Sequence, residues 1–161
     1  MPARLQPSEL LGDRKNLALI RLLRDDPRSP ISKLARRVKM SAPAVRERLQ
    51  RLEEAGILAW RIALDPRALG FPICAWVRVR PAPGQLAKIA ELARRMPQVT
   101  ECHRVTGEDC FVLKIHIAAI SELDQVLDQF LAYGQTTTSL VQSTPVAPRL
   151  LPLPDERARV K

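Results

Sequence analysis

Apolar residues change period partway along this chain, and that change limits what it can fold into. Through residues 13–55 they recur every three to four positions, whereas from Ile73 to Arg80 they alternate, with Ala75, Val77 and Val79 on one side and Cys74, Trp76, Arg78 and Arg80 on the other. A 3.6-residue period buries one face only as helix, and a period of two only as strand. The chain therefore reads as a helical segment followed by a mixed one, an α+β protein in two parts.

In the helical part, the first helix is predicted from Asp13, whose carboxylate can cap it, with Leu17, Leu19, Ile20 and Leu23 inward. It stops at Asp26-Pro27, because the residue before a proline is pushed out of the α region. Ser29 followed by Pro30 predicts a second, short helix with Ile31, Leu34, Ala35 and Val38 inward. After Lys39-Met40-Ser41 a third helix begins under a Ser41 cap, buries Val45, Leu49 and Leu52, and ends at Gly56. Two helices joined by a tight turn and braced by another form a helix-turn-helix. Ile57–Ile62 reads as a short strand that makes it winged, closing a first domain at residues 1–62; residues 63–72, rich in turn formers, read as a linker.

Charge narrows what this domain can bind. Of the formal net charge of +9, residues 1–62 supply +7, with 14 Lys and Arg against 7 Asp and Glu. Between Arg28 and Arg51 stand eight basic residues and a single acid, Glu47. Such a field suits a polyanion. Ala42, Pro43 and Ala44 are small enough for the third helix to approach the floor of a DNA major groove, where Arg46, Gln50 and Arg51 can reach base edges or flanking phosphates. Lys33, Lys39 and Ser41 complete the candidate DNA-binding set. The competing reading is a protein-interaction module whose basic face is merely solvated. Charge excess and helix caps falling in the same stretch weigh against it.

In the second part, the strand Ile73–Arg80 is broken by Pro81-Ala82-Pro83-Gly84 and followed by a helical pattern from Gln85 to Met96 that Pro97 stops. Val99–Thr106 and Phe111–Ile117 read as strands joined by a hairpin turn at Gly107-Glu108-Asp109. Ser121 is expected to cap a helix with Leu123, Val126, Leu127, Phe130 and Leu131 inward and Gly134 as its stop, and Thr136–Ser143 reads as a last strand. This βαββαβ order over residues 73–144 is a ferredoxin-like split unit, with both helices on one sheet face. Trp76, Val112 and Val141 are candidates for the uncovered face, which a second copy would bury, so a homodimer is expected. Residues 145–161, with four prolines and a charged end, read as a flexible tail.

Other classes find little support. Three cysteines and two histidines at these spacings suggest neither a disulfide framework nor a metal site. No run approaches the length of a membrane span, and the amino end has no signal-like stretch, so a soluble, cytoplasmic protein is expected. Residues 73–144 hold no Gly-rich phosphate loop and no nucleophile-base pair, so neither an enzyme nor a cofactor is expected.

The runs SKLARRVKMSAPAVRERLQRLEEAGIL, LDPRALGF and ECHRVTGEDCFVLKIHI, taken together, resemble the Lrp/AsnC (leucine-responsive, feast-famine) family of transcription factors over about residues 13–144. The resemblance implies a winged helix-turn-helix that binds double-stranded DNA, followed by a ferredoxin-like (RAM-type) domain that binds amino acids or related metabolites. It further implies a homodimer that assembles to an octamer. Carried over by position, it marks Ser41–Glu54 as the recognition helix. It marks Gly107, Glu108, Asp109 and Cys110, with Thr137, Thr138 and Ser139, as effector-lining. The family's frequent pattern is glycine, two residues, then aspartate and an aromatic; here Cys110 stands where the aspartate falls and Asp109 comes one position earlier. Asp109 or Glu108 substituting, a different metabolite, and no effector at all are the three readings. The function expected is sequence-specific transcriptional regulation responsive to an amino acid or related small metabolite, the alternative being a nucleoid-type architectural DNA-binding protein without an effector.

Overall fold

A computed structural model describes residues 6–156. The chain forms two compact units, one of residues up to Ile62 joined by the segment from Arg149, the other Ala63–Pro148. No helix among the described residues is long and apolar enough to cross a membrane.

The first unit packs four helices: α1 (Pro7–Gly12), α2 (Arg14–Asp25), α3 (Ile31–Val38) and α4 (Ala42–Glu54). Their shared core holds Leu19, Leu23, Leu34, Val38, Val45, Leu49 and Leu52. The inward stripes expected from spacing are thus the buried ones, except that Ile20 and Ile31 are only half-buried. Asp13 caps α2, its carboxylate accepting from the Lys15 amide at 2.7 Å and the Asn16 amide at 3.4 Å. Gly56 takes the left-handed backbone (φ 70°) just after α4.

Three local expectations fail here. The short α1 lies ahead of the expected start, burying only Leu10. Ser29 does not cap α3: its hydroxyl donates to the Asp26 carboxylate at 2.8 Å, Pro30 becomes the cap residue, and the helix begins at Ile31. Ile57–Ile62 forms no strand, because no described segment of the chain pairs with it, and Ile62 is left 89% exposed.

The second unit comprises β1 (Ile73–Pro81), α5 (Leu86–Arg95), β2 (Val99–Arg104), β3 (Phe111–Ile117), α6 (Glu122–Leu131) and β4 (Gly134–Leu140). The strands form one antiparallel sheet in the order β2-β3-β1-β4, the ferredoxin-like arrangement expected. Alternation puts Ala75, Val77, Val79, Phe111, Leu113, Ile115 and Ile117 on one face, where Ile89, Leu92, Val126 and Phe130 of the two helices cover them. Leu131, placed inward by spacing, is instead at the surface, 53% exposed, and Leu86 at the start of α5 is 36% exposed.

Gly134 is not a helix stop. It opens β4 opposite Pro81, and a Cβ there would sit 2.2 Å from the Arg80 carbonyl oxygen. Ser121 precedes α6 without a side-chain cap bond; the Glu122 carboxylate accepts from the Ala118 amide at 3.3 Å instead. Nor is the Pro-rich segment loose throughout: residues 149–156 belong to the helical unit, with Leu153 and Glu156 half-buried. Residues 157–161 lie outside the described chain.

Candidate functional site

The turn between α3 and α4 is set by Lys39. Its left-handed backbone (φ 53°, ψ 59°) ends α3, and the Met40 amide then reaches back to the Ala35 carbonyl at 3.0 Å. Ser41 restarts the helix, its Oγ accepting from the Ala44 amide at 3.4 Å. With Val45, Leu49 and Leu52 buried, the opposite side of α4 must face out. Pro43, Arg46 and Gln50 share one exposed face at i, i+3 and i+7, while Ala42 and Ala44 are half-buried.

The candidate cations divide into two groups. Lys33 is held by Asp26 at 2.9 Å, Arg51 is paired with Glu47 one turn away, and the Gln50 amide donates to Glu54 at 2.8 Å. Exposed pairs of this kind are weak and yield readily to a phosphate. The side chains of Arg36, Arg37, Lys39 and Arg46 are exposed and have no hydrogen-bond or ion-pair partner among the described residues. Arg36 and Arg37 stand outside the set derived from sequence. Their charge and their place on the last turn of α3 are visible there, but the absence of a competing acid partner among the described residues is not.

Arg48 belongs to the fold instead. Its guanidinium donates to Asp13 Oδ2 at 2.5 Å and to Asn16 Oδ1 at 2.8 Å, and Asn16, 2% exposed, donates to the Leu10 carbonyl at 2.9 Å. The Arg48 bond, aided by the Lys15 and Asn16 amides, holds the Asp13 carboxyl below the usual carboxylate range. Arg48→Ala leaves Asn16 Oδ1 unpaired in the core and is expected to cost about 1–3 kcal/mol in urea unfolding. The folded-state pKa of Asp13 is the lower one. Its contribution is therefore present above the unfolded value and fades as pH falls through the folded one, so the wild-type advantage should shrink below about pH 4.

In the second unit the uncovered sheet face carries a cluster of mixed sign. Arg78 and Arg80 project from β1 on this face, and the loop between β2 and β3 brings Asp109 to 3.8 Å from Arg78 and Glu108 into an ion pair with Arg80. Register places Thr137 beside Arg78, Gln135 beside Arg80 and Ser139 beside Trp76. Thr138 is different: it pairs with the buried Val77 on the helix-covered face, where its hydroxyl is buried with no hydrogen-bond partner among the described residues. The three consecutive hydroxyls therefore cannot line one ligand site, because neighbouring strand residues point to opposite faces. Gly107 (φ 105°) and Cys110 (φ 49°) both take left-handed backbones, and the Cys110 carbonyl accepts from the Val105 amide at 2.8 Å, closing the loop.

Elsewhere on this unit the thiols have no evident chemistry. Burial pushes the Cys74 and Cys102 thiols up, so both stay protonated near neutral pH. Cys102 pairs with Leu113 and His103 with Val112, on opposite faces, so the two do not converge on an ion. Trp76, Val112 and Val141, expected on the uncovered face, are half-buried.

Comparison with known proteins agrees with both units. The family described as winged helix-turn-helix DNA-binding matches residues 13–59, and the Lrp/AsnC ligand binding domain family matches residues 74–151. The HTH-type transcriptional regulator LrpC of Bacillus subtilis is 27% identical over 132 residues, 81% of this chain and 92% of that protein. LrpA of Mycobacterium tuberculosis, also an HTH-type transcriptional regulator, is 29% identical over 141 residues, covering 85% of this chain and 93% of its own. A transcriptional regulator from Neisseria meningitidis, solved as a complex with L-Met, superposes with a TM-score of 0.79 at 25% identity, covering 89% of this chain and 97% of that one. A helix-turn-helix with an exposed basic face, a ferredoxin-like sheet and matches to both halves in the same order make this chain a member of the Lrp/AsnC family of DNA-binding transcriptional regulators.

Proposed function

We propose that the chain regulates transcription by binding particular DNA sequences through α4, and that an amino acid or closely related metabolite bound by the sheet unit modulates this binding. The observation that carries the DNA half is the exposed Pro43, Arg46 and Gln50 face with four exposed cations, Arg36, Arg37, Lys39 and Arg46, whose side chains have no partner among the described residues. A Ser41-capped helix start between small residues fits a major groove, and the flanking cations fit phosphates.

The ligand half rests on the Arg78, Arg80, Glu108 and Asp109 cluster. An α-amino acid carries one carboxylate and one ammonium. Two guanidiniums suit the first and two carboxylates the second. Asp109 thus stands in for the aspartate that Cys110 replaces in the family pattern, and the L-Met complex of the Neisseria relative supports this ligand class. Partnering follows from the uncovered face: Trp76, Val112 and Val141 give it an apolar content that a second copy would bury, and further assembly to an octamer is the family's habit.

The two kinds of DNA contact separate by mutation. Arg46→Ala should lower the preference for operator over random DNA by about 1–3 kcal/mol, the worth of a good base-edge contact. Lys39→Ala should weaken every sequence alike. Equal loss on operator and random DNA for Arg46→Ala would instead favour the architectural reading, in which phosphates supply all the affinity.

A further inference from the structure

The carboxyl-terminal segment does more than trail from the sheet unit. Arg21 and Arg24 stand one turn apart on α2, on the same side. Arg24 forks onto the Glu156 carboxylate at 2.9 and 3.2 Å, Arg21 adds a bond to it at 3.1 Å, and Arg21 also pairs with Asp155. The segment is folded to make this contact. The Leu153 amide donates to Glu156 Oε2 at 3.0 Å and the Glu156 amide to the Leu153 carbonyl at 2.9 Å, a turn that presents the acid. Leu153 is half-buried against an apolar cleft of about 610 Å³ shared with Ile20, Leu23, Leu58 and Trp60. The Arg24 guanidinium, the Leu153 amide and Arg21 together pull the Glu156 carboxyl down to about 2.

Exposed ion pairs are weak one at a time. Two features raise the occupancy here. The segment is tethered, so its effective concentration at α2 is high. Pro152 and Pro154 flank Leu153, which reduces the freedom lost on seating. The topology gives the contact a consequence. The chain leaves the helical unit after Ile62 and rejoins it at Arg149, so the sheet unit is attached twice. The second attachment follows β4, the strand that presents Thr137 and Ser139 to the mixed-sign cluster.

We infer that Leu150–Glu156 is a latch that seats on α2 of its own chain, gives the helix-turn-helix unit a second tether to the sheet unit, and so narrows the range of site spacings that paired DNA-binding units can span. The spacing consequence rests on the proposed function; the latch itself does not.

Hydrogen exchange of the full-length protein, read by mass spectrometry, tests the latch. The amides of residues 150–156 should exchange at least about 10-fold more slowly in the wild type than in Asp155→Arg/Glu156→Arg or in Arg21→Glu/Arg24→Glu, and the fourfold combination should restore the slow exchange. Exchange within α4 reports whether each variant is folded. Equal exchange of the segment in the wild type and the acid-reversed protein, with α4 protected in both, would overturn the latch. Recovery on mixing the two doubly reversed proteins would also overturn it, by seating the segment on a second copy. In a separate arm, binding is titrated on the chain's own upstream DNA carrying two sites at varied separation. The latch-open variants should lose a spacing preference that the wild type shows. No spacing preference in the wild type, with the exchange result intact, would remove the DNA consequence and leave the latch standing.

Discussion

Gly134→Ala is expected to destabilise the sheet unit by about 3 kcal/mol or more, the upper end of what forcing extra volume into a packed site costs. The added Cβ would lie 2.2 Å from the Arg80 carbonyl oxygen and 2.9 Å from Pro81 Cα. Both obstacles are backbone, so no rotamer change relieves them. To make room, β4 must move off β1 at the end where Gly134 pairs with Pro81 and Gln135 with Arg80. Since Arg80 also holds Glu108, the mixed-sign cluster should loosen with the strand. Gly84→Ala is the control. That glycine has φ +77° in the turn after β1, and a Cβ at this position would meet nothing within 4 Å, so the left-handed backbone is its sole cost, roughly 1–2 kcal/mol. Urea unfolding should rank Gly134→Ala well above Gly84→Ala, and the reverse order would show that β1 and β4 separate more easily than their register implies.

The second large effect concerns DNA. Replacing Arg36, Arg37 and Lys39 together by alanine should flatten the slope of log affinity against log salt by about 2.7, as expected for three lost phosphate contacts at about 0.9 each. At roughly 0.1 M salt that corresponds to a loss of about 500-fold for every sequence, operator and random alike. The fold should be unaffected. All three side chains are exposed with no partner among the described residues, and alanine at position 39 carries the same left-handed penalty as lysine. An unchanged salt slope in a folded variant would move the interface away from the end of α3.

Much of this is legible in the sequence, for identifiable reasons. Ser41, Val45, Leu49, Leu52 and Gly56 specify α4 through local chemistry alone, a cap, an apolar stripe and a stop, and the structure uses each in that role. The alternation of β1 likewise determines which side of the strand is buried. Most of what escapes depends on contacts between distant residues. Gly134 follows an apolar helical run and looks like a stop; only the approach of Arg80 reveals why glycine is needed there. Thr137, Thr138 and Ser139 read as one polar stretch until pairing with Arg78, Val77 and Trp76 divides them between faces. Ser29 has the right position for a cap, but Asp26 takes its hydroxyl. The prolines near the carboxyl end suggest a loose tail, while the complementarity of Asp155 and Glu156 to Arg21 and Arg24 spans more than 130 residues of sequence. The short α1 buries a single leucine and leaves no periodic trace.

The reading of α4 as a base-reading helix under metabolite control meets its most direct test in a competition titration. The full-length protein is bound to its own upstream DNA at physiological salt, challenged with random duplex, and measured again with each amino acid added in turn. The expected result is a preference of about 1,000-fold or more for the upstream site, shifted by at least one amino acid. Comparable affinity for both DNAs, unchanged by every amino acid, would contradict it.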